Sequence, residues 1–137
     1  NIYFGYDSAA IRPVSAKELD KLVDILNDNP EIKIEMGSHT DSIASDSYNI
    51  ELSQRRAEST VSYLIRKGIA SDRLVAKGYG ESMPIARNTN PNGTDNPEGR
   101  QRNRRTEFKI LEIGILQKKP EDSFDEDKYF KNDNKDN

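Results

Sequence analysis

The sequence predicts an α/β fold: an α+β sandwich with a mixed sheet of about four strands and two main helices packed on one face. The first observation behind this prediction is an interleaving of apolar stretches, some with the period of a strand and some with that of a helix. The second is their order along the chain, which reads strand, helix, strand, helix, strand, strand. Strands that alternate with helices in this way form a sheet with the helices against it.

The first strand and helix are indicated by residue type and spacing. Residues 2–6 are mostly aromatic and β-branched, as is common in strands, and a connecting loop follows over residues 7–13. Ser15 and Glu18 have the spacing of a capping box, which predicts the start of a helix. That helix is expected to end at the polar residues 27–30. Its apolar stripe consists of Leu19, Leu22, Val23 and Leu26.

The second strand and helix follow the same logic. Residues 32–36 alternate between apolar and charged side chains, which predicts a half-buried strand. A polar stretch over residues 42–47 leads to a long helix that ends at Lys67 and Gly68, where glycine can adopt the left-handed cap. The residues of this helix that we expect in the core are Ile50, Ala57, Val61, Leu64 and Ile65.

Two further strands complete the predicted sheet. A turn over residues 71–73 precedes a strand over residues 74–80. Residues 82–100 are rich in Pro, Asn and Gly and are predicted to form a long loop, a feature that is commonly functional in a compact domain. The last strand, over residues 105–111, places three side chains on one face: Thr106, Phe108 and Ile110.

We divide the chain into a domain over residues 1–113 and an acidic tail over residues 114–137, whose polar composition is typical of disorder. Residues 117–137 carry −2 of the net charge of −3, so the domain is near neutral and lacks the basic surplus of a nucleic-acid binder. The chain has no cysteine, which excludes thiolate nucleophiles and zinc–sulfur sites. No apolar run approaches the ~20 residues that span a bilayer.

One constellation of residues suits ligand binding. Asp41 ends a Ser-His-Thr-Asp stretch after the second strand, and Leu52 and Arg56 lie four residues apart on one face of the following helix. Asp41 could accept hydrogen bonds from an ammonium group, while Arg56 holds a carboxylate through two parallel hydrogen bonds. Such a pair could bind a zwitterion. A plain surface ion pair explains the same spacing.

The same stretches, with others in order along residues 2–112, resemble the OmpA-like C-terminal domain family, which includes outer-membrane OmpA proteins, peptidoglycan-associated lipoproteins and flagellar stator proteins. Two departures are Ser38, where the family usually has glycine, and Ile43-Ala44, which replace a common glycine-containing turn. The matching stretches are Ser38–Asp41, Tyr48-Asn49, Leu52-Ser53, Arg56-Ala57, Tyr63-Leu64, Lys67–Ile69, Arg73-Leu74, Gly78–Glu81, Pro84, Gly99-Arg100 and Asn103–Glu107.

The resemblance implies non-covalent binding of cell-wall peptidoglycan through the diaminopimelate of its stem peptide. It implies that Asp41 and Arg56 hold this zwitterion and that the backbone amide at Asp7 helps to bind the ligand carboxylate. Such a module would tether the outer membrane or an envelope complex to the wall in the periplasm. The further ligand-binding positions that the resemblance implies are Leu52, Tyr6 and Asn49.

No catalytic residue, metal or cofactor, and no nucleic-acid partner, is expected from this resemblance. The chain begins directly on an apolar stretch, so we expect any signal, anchor or attachment to the outer membrane to lie upstream of Asn1. Other envelope proteins remain candidate partners.

Two alternatives stay open: a protein–protein module that binds a peptide or carboxylate in the same pocket, and an enzyme acting on the wall. Against the enzyme, Ser38, His39 and Asp41 are too close in sequence for a relay, since neighbours on a strand point to opposite faces. The sole histidine is expected to be structural. The arginines at 100, 102, 104 and 105 could suggest phosphate binding, but in a near-neutral domain we expect them to pair with carboxylates or face solvent.

Overall fold

The computed structural model describes residues 2–3 and 13–112. These residues form a mixed sheet in the order β1-β4-β2-β3, in which β2 is parallel to β3 and antiparallel to β4. The predicted α/β fold class is confirmed, although the expected count of about four strands is reached only with the two-residue strand β1. The strands are β1 (Ile2–Tyr3), β2 (Lys33–His39), β3 (Leu74–Gly80) and β4 (Arg105–Glu112).

Two long helices and one short helix accompany the sheet: α1 (Pro13–Asp28), α2 (Asp46–Arg66) and α3 (Pro97–Asn103). Helix α1 already begins at Pro13, a residue type favoured in a first helical turn, so Ser15 lies inside the helix and the predicted capping box is wrong. Helix α2 ends as predicted, with Gly68 in the left-handed region at φ 99°. In the described part of the chain, no helix combines the length and apolar character needed to cross a membrane.

The core lies between the helices and one face of the sheet. Thr106 of β4 is fully buried, and Phe108 and Ile110 of the same strand pack against the core as the alternation predicted. Full burial of a Val, Leu, Ile, Phe or Met side chain stabilises the folded state by about 1.5–3 kcal/mol. The buried residues that make up the core are Leu19, Leu22, Ile25, Leu26, Ile32, Ile34, Met36, Leu64, Ile69 and Leu74.

The buried face of α2 differs from the predicted apolar stripe. Ile50 is 47% exposed and Ile65 is also exposed, so their expected core positions are wrong. Polar side chains occupy much of the buried face, because the N-terminal half of α2 packs on the backbone of β3 and on the loop after β2. The buried residues of α2 are Asn49, Leu52, Ser53, Arg56, Ala57, Thr60 and Leu64.

Helix α2 contacts β3 at unusually short range through Gly78. A Cβ atom at Gly78 would lie 2.4 Å from the backbone nitrogen of Gln54. The side-chain amide of Gln54 accepts from the N–H of Gly78 at 2.8 Å and donates to the carbonyl of Ala76 at 3.2 Å. Gln54 thereby occupies backbone groups on the outer edge of β3, which would otherwise be open to pairing with another strand.

The predicted loop over residues 82–100 contains the start of α3, which the sequence analysis missed. Asn96 caps this helix by accepting a 3.2 Å hydrogen bond from the N–H of Gly99. Fully buried Asn103 fixes the first part of the loop, because its Oδ1 accepts from the N–H groups of Ile85 and Ala86. The long loop is therefore held to the domain at both ends.

Candidate ligand-binding site

Asp41 lies in the loop that joins β2 to α2 and is 3% exposed. Its Oδ1 accepts a 3.0 Å hydrogen bond from the backbone N–H of Ile43, a local contact with which aspartate stabilises a turn. The next residue, Ala44, has a φ of 72°, a conformation that costs free energy for any residue other than glycine. The turn after Asp41, where the resemblance leads us to expect a glycine, is therefore made with an alanine in the left-handed region.

Asn49 fastens this loop to helix α2. Its side-chain amide donates to the carbonyl of Ile43 at 2.8 Å and to the carbonyl of Asp41 at 3.3 Å. Asn49 is itself buried, so these contacts are shielded from water. Its observed contacts thus make it a residue that positions the loop carrying Asp41.

Arg56 and Leu52 lie one turn apart on the buried face of α2, as their spacing predicted. Arg56 is 1% exposed, and Leu52 is also buried. A guanidinium in such a position acts in a low effective dielectric, where its interaction with an opposite charge is stronger than in water. The geometry is therefore not that of an exposed surface pair.

A shallow concavity brings four of the six predicted ligand-binding residues together: Asp41, Asn49, Leu52 and Arg56. Tyr6 and Asp7 lie outside the described residues, and the ligand-binding role of all six stays a prediction. The other residues that line the concavity are Thr40, Ile43, Ala44, Tyr48 and Arg104.

Arg104 is the site residue whose position the sequence analysis missed. Its Nη1 donates a 2.7 Å hydrogen bond to Oδ2 of Asp41. Nη1 of Arg100, one helical turn earlier, lies 3.7 Å from the same oxygen. The sequence predicts that the arginines at 100, 102, 104 and 105 pair with carboxylates or face solvent, and two of them, Arg100 and Arg104, pair with the buried carboxylate of Asp41.

Arg100 also connects the site with the loop before α3. Its Nε and Nη2 donate to the two carboxylate oxygens of Asp95 at 2.8 and 2.7 Å. Hydrogen bonding by Arg100 lowers the pKa of Asp95, and the same contact raises the pKa of Arg100. Two-point contact of this kind fixes the orientation of the guanidinium plane as well as its distance.

An acidic pair lies beside the site, formed by Asp46, the first residue of α2, and Glu81, the residue after β3. The pKa of Glu81 is raised by a hydrogen bond between its carboxyl group and Asp46, and burial and the charge of Asp41 raise this pKa further. With the charge of Asp46 nearby, the raised pKa means that Glu81 holds its proton more tightly than an isolated glutamate does.

The geometry of the site suits ligand binding better than catalysis. Ser38 Oγ is hydrogen-bonded to Thr106 Oγ1, and His39 stacks on the ring of Tyr79 with centroids 5.1 Å apart, so neither forms a relay with Asp41. Burial is the main cause that lowers the pKa of His39. Among the described residues, no group of three His, Cys, Asp or Glu side chains could hold a metal ion.

Comparison with known proteins assigns the chain to a family. The sequence model of the OmpA family matches residues 3–104. Outer membrane porin F of Pseudomonas fluorescens is 38% identical over 110 residues, which cover 80% of this chain and 32% of the relative. Peptidoglycan-binding protein ArfA of Mycobacterium bovis is 35% identical over 109 residues, again 80% of this chain and 32% of the relative.

A solved structure shares the fold. The cell wall anchor of the T6SS from Pseudomonas aeruginosa matches with a TM-score of 0.64 and 29% identity, over 80% of this chain and 74% of that chain. The chain spans about a third of the length of each of the two curated relatives above. The match of the family model over most of the chain, together with these relatives, shows that this chain belongs to the OmpA family.

Proposed function

We propose that this chain binds cell-wall peptidoglycan without covalent chemistry, through the diaminopimelate of the stem peptide. The relative ArfA is a peptidoglycan-binding protein by name, and the matching structure from Pseudomonas aeruginosa is a cell wall anchor. The chain would serve in the periplasm as the wall-binding part of an outer-membrane or envelope protein. Its partners would be the wall and other components of the envelope.

The observation that carries this proposal is that Asp41 and Arg56, both almost fully buried, line one concavity. Diaminopimelate in a stem peptide ends in a free zwitterion, an ammonium and a carboxylate on one carbon. A buried carboxylate and a buried guanidinium in one small pocket are complementary to those two groups. Because both are largely withdrawn from water, their contacts with a ligand are stronger than those of an exposed pair.

Asp41 retains the capacity to accept from an ammonium group even though it already has partners. An ionised carboxylate offers about four acceptor sites. Two are used by hydrogen bonds, from the N–H of Ile43 to Oδ1 and from Arg104 to Oδ2, and Nη1 of Arg100 lies 3.7 Å from Oδ2. These two contacts fix the orientation of the carboxylate before a ligand arrives, which lowers the cost of ordering it on binding.

Calorimetric titration with meso-diaminopimelate tests the proposal. We expect Asp41→Asn and Arg56→Met to weaken binding about tenfold or more, because a hydrogen bond to a charged group is worth about 1.5–3 kcal/mol. The matched controls are Asp72→Asn and Arg55→Met, which change exposed residues of the same types. Thermal unfolding of each variant separates loss of binding from loss of fold.

Sedimentation with insoluble peptidoglycan extends the test to the natural polymer. The parent chain should sediment with the wall material, and both site variants should stay in the supernatant. If folded Asp41→Asn and Arg56→Met proteins bound the wall like the parent, the site assignment would be wrong. Release of soluble fragments from the wall by the parent chain would instead indicate an enzyme.

A further inference from the structure

We propose that Asp95 is a positioning residue of the ligand-binding site: it holds the guanidinium of Arg100 away from Asp41 and so keeps that carboxylate open to the ammonium group of a ligand. The inference rests on the proposed function and deepens it, because it concerns how the same carboxylate is kept available. Residues 88–96, none of which lines the concavity, thereby gain a role in the site.

Two carboxylates compete for the guanidinium of Arg100. Its Nε and Nη2 donate to the two carboxylate oxygens of Asp95 at 2.8 and 2.7 Å. Its Nη1 lies 3.7 Å from Oδ2 of Asp41, outside the range of about 2.7–3.2 Å for an N–H···O hydrogen bond. Arg100 is thus oriented by Asp95, and a shift of roughly 1 Å would let it bind Asp41 directly.

The backbone of Asp95 is fixed by contacts within its own loop. Its carbonyl accepts a 3.0 Å hydrogen bond from Nδ2 of Asn90, and the residue forms an antiparallel β-bridge with Thr89. The next residue, Asn96, caps α3, the helix that contains Arg100. The two members of the ion pair therefore lie on one ordered junction of loop and helix, so little is lost in ordering them against each other.

Burial makes the charge of Arg100 matter more at Asp41 than at Asp95. The side chain of Asp95 is 56% exposed, whereas those of Arg100 and Asp41 are 18% and 4% exposed. Charges that are largely withdrawn from water are only weakly screened. With Asp95 present, the pair that it forms with Arg100 is neutral. Without Asp95, an uncompensated cation would lie beside the position expected for the ammonium group and would repel it.

The hydrogen-bonding capacity of Asp41 leads to the same conclusion. The N–H of Ile43 and Nη1 of Arg104 already occupy two of the about four acceptor sites of this carboxylate. A third donor from Arg100 would leave about one site for an ammonium group, which has three donors. By binding Arg100 itself, Asp95 preserves acceptor sites for the ligand.

Calorimetric titration of the full chain with meso-diaminopimelate tests the inference. We expect Asp95→Asn to weaken binding about threefold to tenfold, because Arg100 then turns to Asp41. Adding Arg100→Met to Asp95→Asn should restore the affinity to within about twofold of the parent, since the competing cation is gone. Asp95→Glu keeps a carboxylate and should bind more tightly than Asp95→Asn. The control Asp72→Asn, at an exposed aspartate outside this loop, should leave the affinity unchanged.

A measurement without ligand tests the same movement of Arg100. Urea denaturation of single and double variants gives the coupling between Arg100→Met and Asp41→Asn. In the parent background, we expect this coupling to correspond to less than about threefold in the unfolding equilibrium constant. In the Asp95→Asn background it should rise to about fivefold to tenfold, because Arg100 then contacts Asp41.

Three results would overturn the inference. Weak binding that persists in the Asp95→Asn/Arg100→Met double variant would mean that Asp95 acts only by shaping its loop. Unchanged or tighter binding by Asp95→Asn would mean that Asp95 does not keep Arg100 off Asp41, and so would equal coupling in the two backgrounds. If the parent chain bound no meso-diaminopimelate, the proposed function itself would fall, and the coupling alone would decide whether Asp95 restrains Arg100.

Discussion

Nη1 of Arg104 donates a 2.7 Å hydrogen bond to Oδ2 of Asp41, and the two side chains are 15% and 4% exposed. The contact joins the residue just after α3 to the loop before α2, two segments that are far apart in the sequence. The carboxylate of Asp41 is consequently held by an arginine from outside the loop and helix that carry Asp41 and Arg56. Its orientation depends on the correct packing of the C-terminal half of the domain.

Arg104→Met should therefore destabilise the fold. Removing one partner leaves the buried carboxylate of Asp41 with less compensation, and we expect the free energy of unfolding to fall by about 2 kcal/mol. Urea denaturation measures this change, with Arg102→Met at an exposed arginine as the control. In a double-mutant cycle with Asp41→Asn, the coupling free energy between Arg104 and Asp41 should be about 1–2 kcal/mol. Equal costs for Arg104→Met and Arg102→Met would show that the contact has no energetic weight.

Ala44→Gly should stabilise the fold. Ala44 has a φ of 72°, and the left-handed conformation costs about 1–2 kcal/mol for a residue with a Cβ atom. Glycine removes this cost but adds about 0.4–1 kcal/mol of entropy to the unfolded chain, so the net gain should be about 0.5–1 kcal/mol. Ala70→Gly, at φ −64°, is the matched control and should destabilise. If both variants lost stability, the turn would be unstrained.

Gly78→Ala should be among the most damaging single-methyl changes in the chain. The new Cβ would lie 2.4 Å from the backbone nitrogen of Gln54, and a backbone atom can move only if α2 shifts away from β3. We expect a loss of about 3 kcal/mol or failure to fold. Gly93→Ala is the control, since its Cβ would meet no atom within 4 Å and only its φ of 88° opposes it. Similar costs at both positions would argue against close packing at Gly78.

The features that could be predicted from the sequence are those with a regular apolar period. The stripe of α1, the alternation in β4 and the left-handed end of α2 at Gly68 all follow from local rules. The helical apolar period wrongly placed Ile50 in the core, because the first half of α2 buries polar residues instead of apolar ones. Those polar residues hold the loop of Asp41 and the edge of β3, so the departure from the apolar pattern coincides with the candidate site.

Helix α3 was not predicted from the sequence, for a related reason. Its seven residues carry no apolar stripe, and a period cannot be read where none exists. The usable signal was Asn96 followed by Pro97, an N-cap residue before a proline in the first turn. The contact of Arg104 with Asp41 depends on where this helix ends, so it could not be predicted without the helix. Leu52 and Arg56, which share one face of α2, were placed together by spacing alone.

Glu81→Gln should change how stability depends on pH. The hydrogen bond to Asp46 raises the pKa of Glu81 in the folded state above its usual value. A carboxyl group whose folded pKa is raised stabilises the fold below its unfolded pKa, and this contribution is lost as the pH rises through the folded pKa. The parent chain should therefore lose stability relative to Glu81→Gln as the pH rises from about 4 to 7. Because Glu81 is only partly buried, we expect a relative change of about 0.5 kcal/mol. At each pH, the difference between the unfolding free energies of the two proteins cancels the contributions of the other titrating groups. A difference that stayed constant with pH would show that the two carboxylates do not interact.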